Sequence, residues 1–494
     1  MECAWALTGR CRRRRNLYKG TCAPSLVPLI FLIQPQAYGH ATLPNKTITT
    51  DTLFDLASTS KSTTAAAVAL LVDDENYPDV QWTTPVSKLL PDDFILPDAR
   101  LTEEVTIEDI VSHRSGIACH DDSYLSVRAN NPDDAKSITQ NLRNLEFPKP
   151  LRTAFIYSNI MFSVATHLVE TVSGMPYIQF LKTKLWQPLG MTNTFHDISD
   201  IEANNAIDRK ATGYHWNEDT KAYIPIPAFE QTEGQGAGCI FSSAGDYAKW
   251  IRALIKHSPP LSEDAHKDFV TPRSIYAFEE KYSIPFGSRP LYALGLVHES
   301  YRGRTVINHG GSVPGFKAEV AYMPEFDWGV VLFGNSDDAD YACEILKWTL
   351  MDEVLGVPKD ELVDWSAFYR GWYERDEEED KEVKPEFERP ENPEQLAVPL
   401  EQIVGTYHDA GYKDLVLEMK DGKPVADCTN RCFPFMLTFE HLTANKFVVE
   451  KRYTWEGTTE KLGGEVRIED GRVIAVGVDL EEDVEGHIWF KRVG

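Results

Sequence analysis

Hydrophobic and polar positions follow three different rhythms along the chain, and the places where the rhythm changes divide it. Residues 65–72 (AAAVALLV) are apolar without a break, so a helix there has no face for water and is predicted to be buried on all sides. Ile160, Val164, Leu168 and Val172 recur four apart and stop before Gly174, which predicts an amphipathic helix ended by a glycine. Thr305, Val306 and Ile307 are β-branched and stand ahead of Gly310 and Gly311, which predicts a strand ending in the two glycines. Past residue 398 the runs shorten. Leu415, Val416 and Leu417 precede Asp421-Gly422, Phe447, Val448 and Val449 form another run, and Val473, Ile474 and Val476 follow Asp470-Gly471. Short strands broken by turn signals predict a small all-β barrel or sandwich.

Between these patterns, residues 366–397 carry the run YERDEEED and several prolines, which reads as a solvated acidic linker. The expected organisation is an atypical basic and apolar segment over 1–37, a large α/β or α+β domain over 38–365, the linker over 366–397, and a β domain over 398–494. No internal repeat is found.

At 494 residues, with 42 % apolar and 26 % charged positions, the chain is a folded globular protein of two or three domains. A net charge of −26 argues against nucleic acid or an anionic membrane surface as partner, because both would be repelled. It disfavours acidic substrates too, unless the cleft is locally basic. The eight cysteines include no CxxC pair and no Cys/His ligand spacing, which excludes the usual structural zinc patterns. Cys428 and Cys432 are close enough to bridge across a turn; the favoured reading is free, buried thiols in a reducing compartment. Arg10, the arginines at 12–15 and the apolar residues 25–33 (SLVPLIFLI) have the order of a signal peptide or weak anchor. Against that, nine residues are too short to span a bilayer, and a proline lies among them. No stable membrane partner is expected. The sequon at Asn45 is a common chance match, and localisation stays open, with the cytoplasm favoured over secretion.

Candidate chemistry begins at residues 54–61 (FDLASTSK). Ser58 and Lys61 lie three apart, so on a helix they project from one face one turn apart. Burial and the positive end of the helix both favour a neutral lysine, able to take a proton from Ser58. The hydroxyls of this first turn read as helix caps. Tyr157 precedes the second predicted helix, with Ser158 as its cap, and a phenol on that loop can shuttle a proton to a leaving group. Asn159 can offer its amide to a substrate carbonyl. In the third segment, Gly310 and Gly311 allow close backbone approach, and the N–H groups of Ser58 and Ser312 can form an oxyanion hole, each donor worth roughly 3 kcal/mol of barrier. His309 would flank the cleft. Each feature alone has a plainer explanation: SxxK is a common pattern, a tyrosine before a helix is often a staple, and a histidine at a strand end often has no chemical role.

Taken together, Ser58-Thr59-Ser60-Lys61, Tyr157-Ser158-Asn159 and His309-Gly310-Gly311 stand in the order and spacing of SxxK, YxN and KTG/HxG elements. Over about residues 38–355 the chain resembles the serine β-lactamase-like superfamily, closest to the class C branch with its DD-peptidases, D-aminopeptidase-like enzymes and type C carboxylesterases. Supporting stretches include residues 111–116 (VSHRSG), 189–191 (LGM), 236–238 (GAG) and 310–316 (GGSVPGF). The resemblance implies an α+β fold, with an antiparallel sheet flanked by helices and a helical subdomain beside it. It implies Ser58 as nucleophile, Lys61 as base and Tyr157 as proton relay. Asn159, His309, Gly310, Gly311 and Ser312 are implied at the substrate, with no metal and no cofactor. The C-terminal region resembles a lipocalin-like β-barrel domain.

Two departures matter. His309 stands where β-lactamases proper carry a lysine, which favours an esterase, amidase or peptidase substrate over a β-lactam carboxylate. The start is also short, with only residues 38–41 (YGHA) resembling the region that should precede SxxK; the N-terminal segment either replaces an edge of the sheet or reflects a faulty gene model. The expected activity is hydrolysis of a small ester, amide or D-amino-acid peptide through a Ser58 acyl-enzyme. An acyltransferase of the same fold is the alternative, and a catalytically inactive scaffold, which predicts a broken motif, is the third reading. The oligomeric state is left open.

Overall fold

The computed structural model describes residues 3–10, 31–227, 230–379, 387–455 and 459–493. The arginines at 12–15, most of the apolar stretch 25–33 and the end of the acidic run from Asp380 lie outside the described residues.

Trp328–Gly334 (WGVVLFG) is buried along its whole length. Successive strand side chains point to opposite faces, so Val331 and Phe333 enter one core while Val330 and Leu332 enter another. That strand sits inside an eight-stranded antiparallel sheet whose order runs Ser274–Ile275, Leu291–Tyr292, Val297–Tyr301, Arg304–Val313, Phe316–Met323, Trp328–Gly334, Cys3–Arg10, Phe31–Ala37. The N-terminal segment, set apart by its composition, therefore supplies two strands at one side of the sheet: Cys3 pairs with Gly334 and Thr8 with Gly329.

The first core contains the helix Lys61–Val72, buried on all sides at Ala65–Ala69 and Leu71. Helices Asn159–Ser173 and Ala244–Lys256 lie around it. The second core lies on the other face, under the helix Ala339–Leu355. A further helix, Trp365–Glu379, occupies the start of the stretch expected as a solvated linker. Its Trp365 and Tyr369, one turn apart, are buried. Trp365 stacks on Trp348 with ring centroids 5.6 Å apart, and its indole N–H donates to Asp352 Oδ2 at 3.0 Å. One aromatic stripe outweighs the acidic residues that follow it, since a buried aromatic is worth a few kcal/mol.

The C-terminal region is a closed barrel of eight antiparallel strands in chain order, from Gly405–Asp409 to Ile488–Arg492. Lys413–Lys420 shows its two-residue period, with Leu415 and Leu417 inside and their neighbours outside. The loop between Lys423–Cys428 and Phe435–Thr443 reaches back to the first domain. Ser126 N–H donates to Asn430 O at 2.9 Å, Cys432 N–H to Tyr124 O at 3.2 Å, and the Arg128 guanidinium to Thr429 O and Cys432 O. Lys451 and Asp122 form an ion pair between the two parts with both side chains buried. Cys428 and Cys432 are free thiols, as are Cys119 and Cys239.

Candidate active site

Ser58 lies in a 3-10 turn, Ala57–Ser60, that leads straight into the helix Lys61–Val72. Ala57 takes a left-handed φ of 46°, a conformation that disfavours a side chain, and its N–H is held by Asp55 Oδ1 at 2.9 Å. The kink leaves Ser58 half-buried while Ala57, Thr59 and Ser60 are buried. The hydroxyls of this turn do not cap the helix, contrary to expectation. Thr59 and Ser62 donate to the backbone oxygens of Leu56 and Thr59, at 2.9 and 3.0 Å. Ser62 also accepts from the Trp250 indole at 3.0 Å. The Ser60 hydroxyl is buried without a partner, whereas Thr64 donates to Gly236 O at 2.6 Å and meets the Tyr177 hydroxyl at 2.6 Å, so that Ser62 and Thr64 cross-link the helix to its surroundings.

Lys61 Nζ is fully buried and lies 2.9 Å from Ser58 Oγ, 2.8 Å from Asn159 Oδ1 and 2.9 Å from Ala237 O. Burial pulls its pKa from 10.5 down to about 7, while the nearby Asp121 carboxylate opposes the fall. A neutral amine has two hydrogens and one lone pair. With Asn159 Oδ1 and Ala237 O taking the hydrogens, the lone pair is left for the Ser58 hydroxyl.

Tyr157 stands on the loop before the helix Asn159–Ser173 and donates to Ser58 Oγ at 2.8 Å. Burial pushes its phenol far above the ordinary value, so it is a hydrogen donor in the resting site and Lys61 is the group able to act as base. Ser158 occupies the cap position, but its side chain makes no capping bond. Its N–H instead donates to His113 Nδ1 at 3.0 Å, and the His113 ring stacks on Tyr157 with centroids 4.3 Å apart. Burial and the proximity of Lys61 keep His113 neutral. Asn159 donates to Asp121 Oδ2 at 2.9 Å, which leaves one amide hydrogen for any carbonyl in the cleft.

The two glycines lie within the strand Arg304–Val313, not at its end. A Cβ on Gly311 would fall 2.4 Å from Leu56 O and 3.2 Å from Ser58 N, so only glycine lets this strand approach the Ser58 turn. A Cβ on Gly310 would meet Glu319 Oε2 at 3.1 Å. Ser312 lines the same pocket as Ser58 and accepts a hydrogen bond from Lys317 at 2.8 Å. His309 stands behind the pocket, 4 % exposed, with its Nδ1 2.6 Å from Gly310 O and its Nε2 3.0 Å from the Tyr292 hydroxyl. Burial and Lys61 lower its pKa to about 4. It offers substrate neither a charge nor a spare nitrogen, unlike the cleft-flanking side chain expected.

Sequence reasoning missed Asp121, His113 and the barrel's contribution. The pocket at Ser58 is narrow, about 40 Å³, and its walls include Tyr124, Gln231, Val313, Cys432 and Phe433, the last two from the barrel loop. His113 fell in a stretch noted for its resemblance, but Asp121 lies in a polar run (HDDS) that looks like any solvated turn. Among the described residues, no group of His, Cys, Asp and Glu could hold a metal ion.

Comparison with known proteins agrees with this architecture. The family model described as Beta-lactamase matches residues 33–347. An Unguisins hydrolase of Aspergillus campestris is 34 % identical over 470 residues, covering 93 % of this chain and 86 % of that protein. Penicillin-binding protein 4* of Bacillus subtilis is 25 % identical over 334 residues, 64 % of this chain and 68 % of the relative. Among solved structures, the octameric penicillin-binding protein homologue from Pyrococcus abyssi superposes with a TM-score of 0.59 at 18 % identity. That match covers 99 % of this chain and 96 % of the other, so the likeness of fold extends through the barrel.

Proposed function

Because this chain belongs to the Beta-lactamase family and is a serine hydrolase of that family, we propose that it cleaves a small ester, amide or D-amino-acid peptide through an acyl-enzyme on Ser58. The observation that carries the reading is the pair of contacts on one oxygen: Ser58 Oγ has Lys61 Nζ at 2.9 Å and Tyr157 Oη at 2.8 Å. Neutral Lys61 takes the hydroxyl proton as Oγ adds to the substrate carbonyl carbon. The resulting oxyanion is met by the N–H groups of Ser58 and Ser312, donors fixed before the charge develops. As the carbon–nitrogen or carbon–oxygen bond breaks, Tyr157 gives its proton to the leaving group and regains one from the Lys61 ammonium. Water then adds to the ester carbonyl by the reverse sequence, releasing the acid and free Ser58.

A charged β-lactam carboxylate is a poor fit, since His309 is neutral and enclosed and, among the described residues, no arginine or lysine lines the Ser58 pocket. The fungal relative is named for hydrolysis of unguisins, so compounds of that kind are the first natural substrates to try. Intact-mass spectrometry after treatment with a fluorophosphonate tests the nucleophile. One adduct on the native protein and none on Ser58→Ala is expected; equal labelling of both, or none on either folded protein, rejects the assignment.

A further inference from the structure

The pocket at Ser58 has a larger neighbour. A cavity of about 570 Å³ opens between the catalytic domain and the barrel, within the range of pockets that hold drug-sized ligands. Two features join it to the catalytic centre. Phe433 lines both spaces. On the other side, Asp121 lines the cavity while its carboxylate holds Asn159, which lines the Ser58 pocket and in turn holds Lys61. The half-buried Phe433 and the hydrogen-bonded Asp121–Asn159 pair thus lie on the boundary between the cavity and the Ser58 pocket.

The lining sets the chemistry of an occupant. Phe433, Tyr453 and Trp455 give it aromatic walls, suited to a large apolar side chain. Its ionisable side chains are six carboxylates and two lysines. Lys451 is paired with Asp122 and Asp479 with His487, and burial raises the pKa of Asp121 and brings that of Glu481 to about 7, so Glu460 and Glu482 carry most of the excess negative charge. A free carboxylate entering this space would be repelled, whereas a neutral or amine-bearing segment would not.

We propose that this cavity is the outer part of the substrate site, taking an aromatic or aliphatic, carboxylate-free segment of a peptide whose scissile carbonyl lies at Ser58, with Phe433 as the side chain the segment passes. The barrel then supplies substrate recognition, and the narrowness of the Ser58 pocket sets which bond reaches the serine. This rests on the acyl-enzyme reading, which supplies the fixed point at Ser58.

The test uses the full chain with three substrates: p-nitrophenyl acetate, a D-phenylalanine-containing pentapeptide amide, and the same peptide as its free acid. The native protein is expected to favour the amide over the acid. Trp455→Ala is expected to lower the ratio of kcat/KM for peptide amide to that for the ester by about ten-fold, the loss of one aromatic contact. Glu482→Lys, at an exposed position on the rim, lies outside the Lys451–Asp122 contact and is expected to raise kcat/KM for the acid relative to the amide by about three-fold. Ester turnover with no peptide cleavage, or with both ratios unmoved in the variants, overturns the cavity's role and leaves the Ser58 chemistry standing. Absence of both ester turnover and fluorophosphonate labelling in the native protein overturns the acyl-enzyme reading, and the cavity's role falls with it.

Discussion

If Lys61 is the base, the rate of Ser58 acylation must follow its deprotonation. Its pKa moves from 10.5 to about 7 on burial, a difference equivalent to roughly 5 kcal/mol against the ammonium. About 1 % of the protein then carries the neutral amine at pH 5, about half at pH 7 and about 90 % at pH 8. Acylation should rise about fifty-fold between pH 5 and 7, gain about two-fold more, and level off. A lysine at its ordinary value would still be gaining about ten-fold per pH unit at pH 9. Single-turnover acylation by p-nitrophenyl acetate, followed by stopped flow with the spontaneous rate subtracted, separates the two. The sign of the opposing influence can be tested in the same assay. Asp121 favours the ammonium, so Asp121→Asn, which keeps an acceptor for Asn159, should move the rising limb toward acid. A limb that climbs unbroken to pH 9, one that is flat from pH 5, or one that moves toward alkali in Asp121→Asn would refute the reasoning.

Three further outcomes are expected. Tyr157→Phe removes the donor to the leaving group and should slow amide cleavage by about 10²–10⁴ with little change in thermal midpoint; cleavage at the native rate would exclude the relay. Gly311→Ala places a Cβ 2.4 Å from Leu56 O and should cost about 1–3 kcal/mol in denaturant unfolding along with most of the acylation rate; an unchanged midpoint would mean that the strand and the turn are free to part. Glu233 is buried, which raises its pKa from 4.5 to about 7. Between those values the folded state keeps a proton that the unfolded chain has released, so stability falls as pH climbs through the window, by roughly 3 kcal/mol in all. Glu233→Gln should flatten that part of the stability–pH curve, and an identical slope in the variant would assign it elsewhere.

The residues that meet at Ser58 differ in how far they were legible in the sequence. Ser58 and Lys61 could be read because helix geometry alone puts positions three apart on one face, and the apolar run after them announces burial. Asp121 could not. Its importance comes from Asn159, 38 residues away, and from the adjacent Asp122, held by a lysine 329 residues away. Nothing local distinguishes such a pair from a solvated turn. The barrel could be read as short alternating runs, yet its part in the site could not, because Cys432 and Phe433 join Tyr124 and Gln231 in the pocket wall from a distant part of the chain. The hydroxyls around the Ser58 turn escape a local reading for a related reason: a cap is a local motif, and cross-linking in a dry core is a tertiary one.

The neutral lysine ties these parts together, because a pKa near 7 requires water to be kept from Lys61. On the Ser58 side the walls that exclude it include Cys432 and Phe433, carried by a loop fastened through Tyr124, Ser126 and Arg128. If Lys61 is the base, catalytic competence is coupled to how firmly the barrel is docked. Lys451→Met leaves Asp122 buried without its counter-charge and should cost about 3–5 kcal/mol. If docking loosens before the catalytic domain unfolds, two readouts should move together: the Cys432 amide, which donates to Tyr124 O, should exchange faster with deuterium, and the acylation midpoint should climb from about 7 toward the 10.5 of a hydrated lysine. Faster exchange with the midpoint held at 7 would show that the helix core alone keeps the lysine dry, and that the barrel contributes to the site only through the substrate.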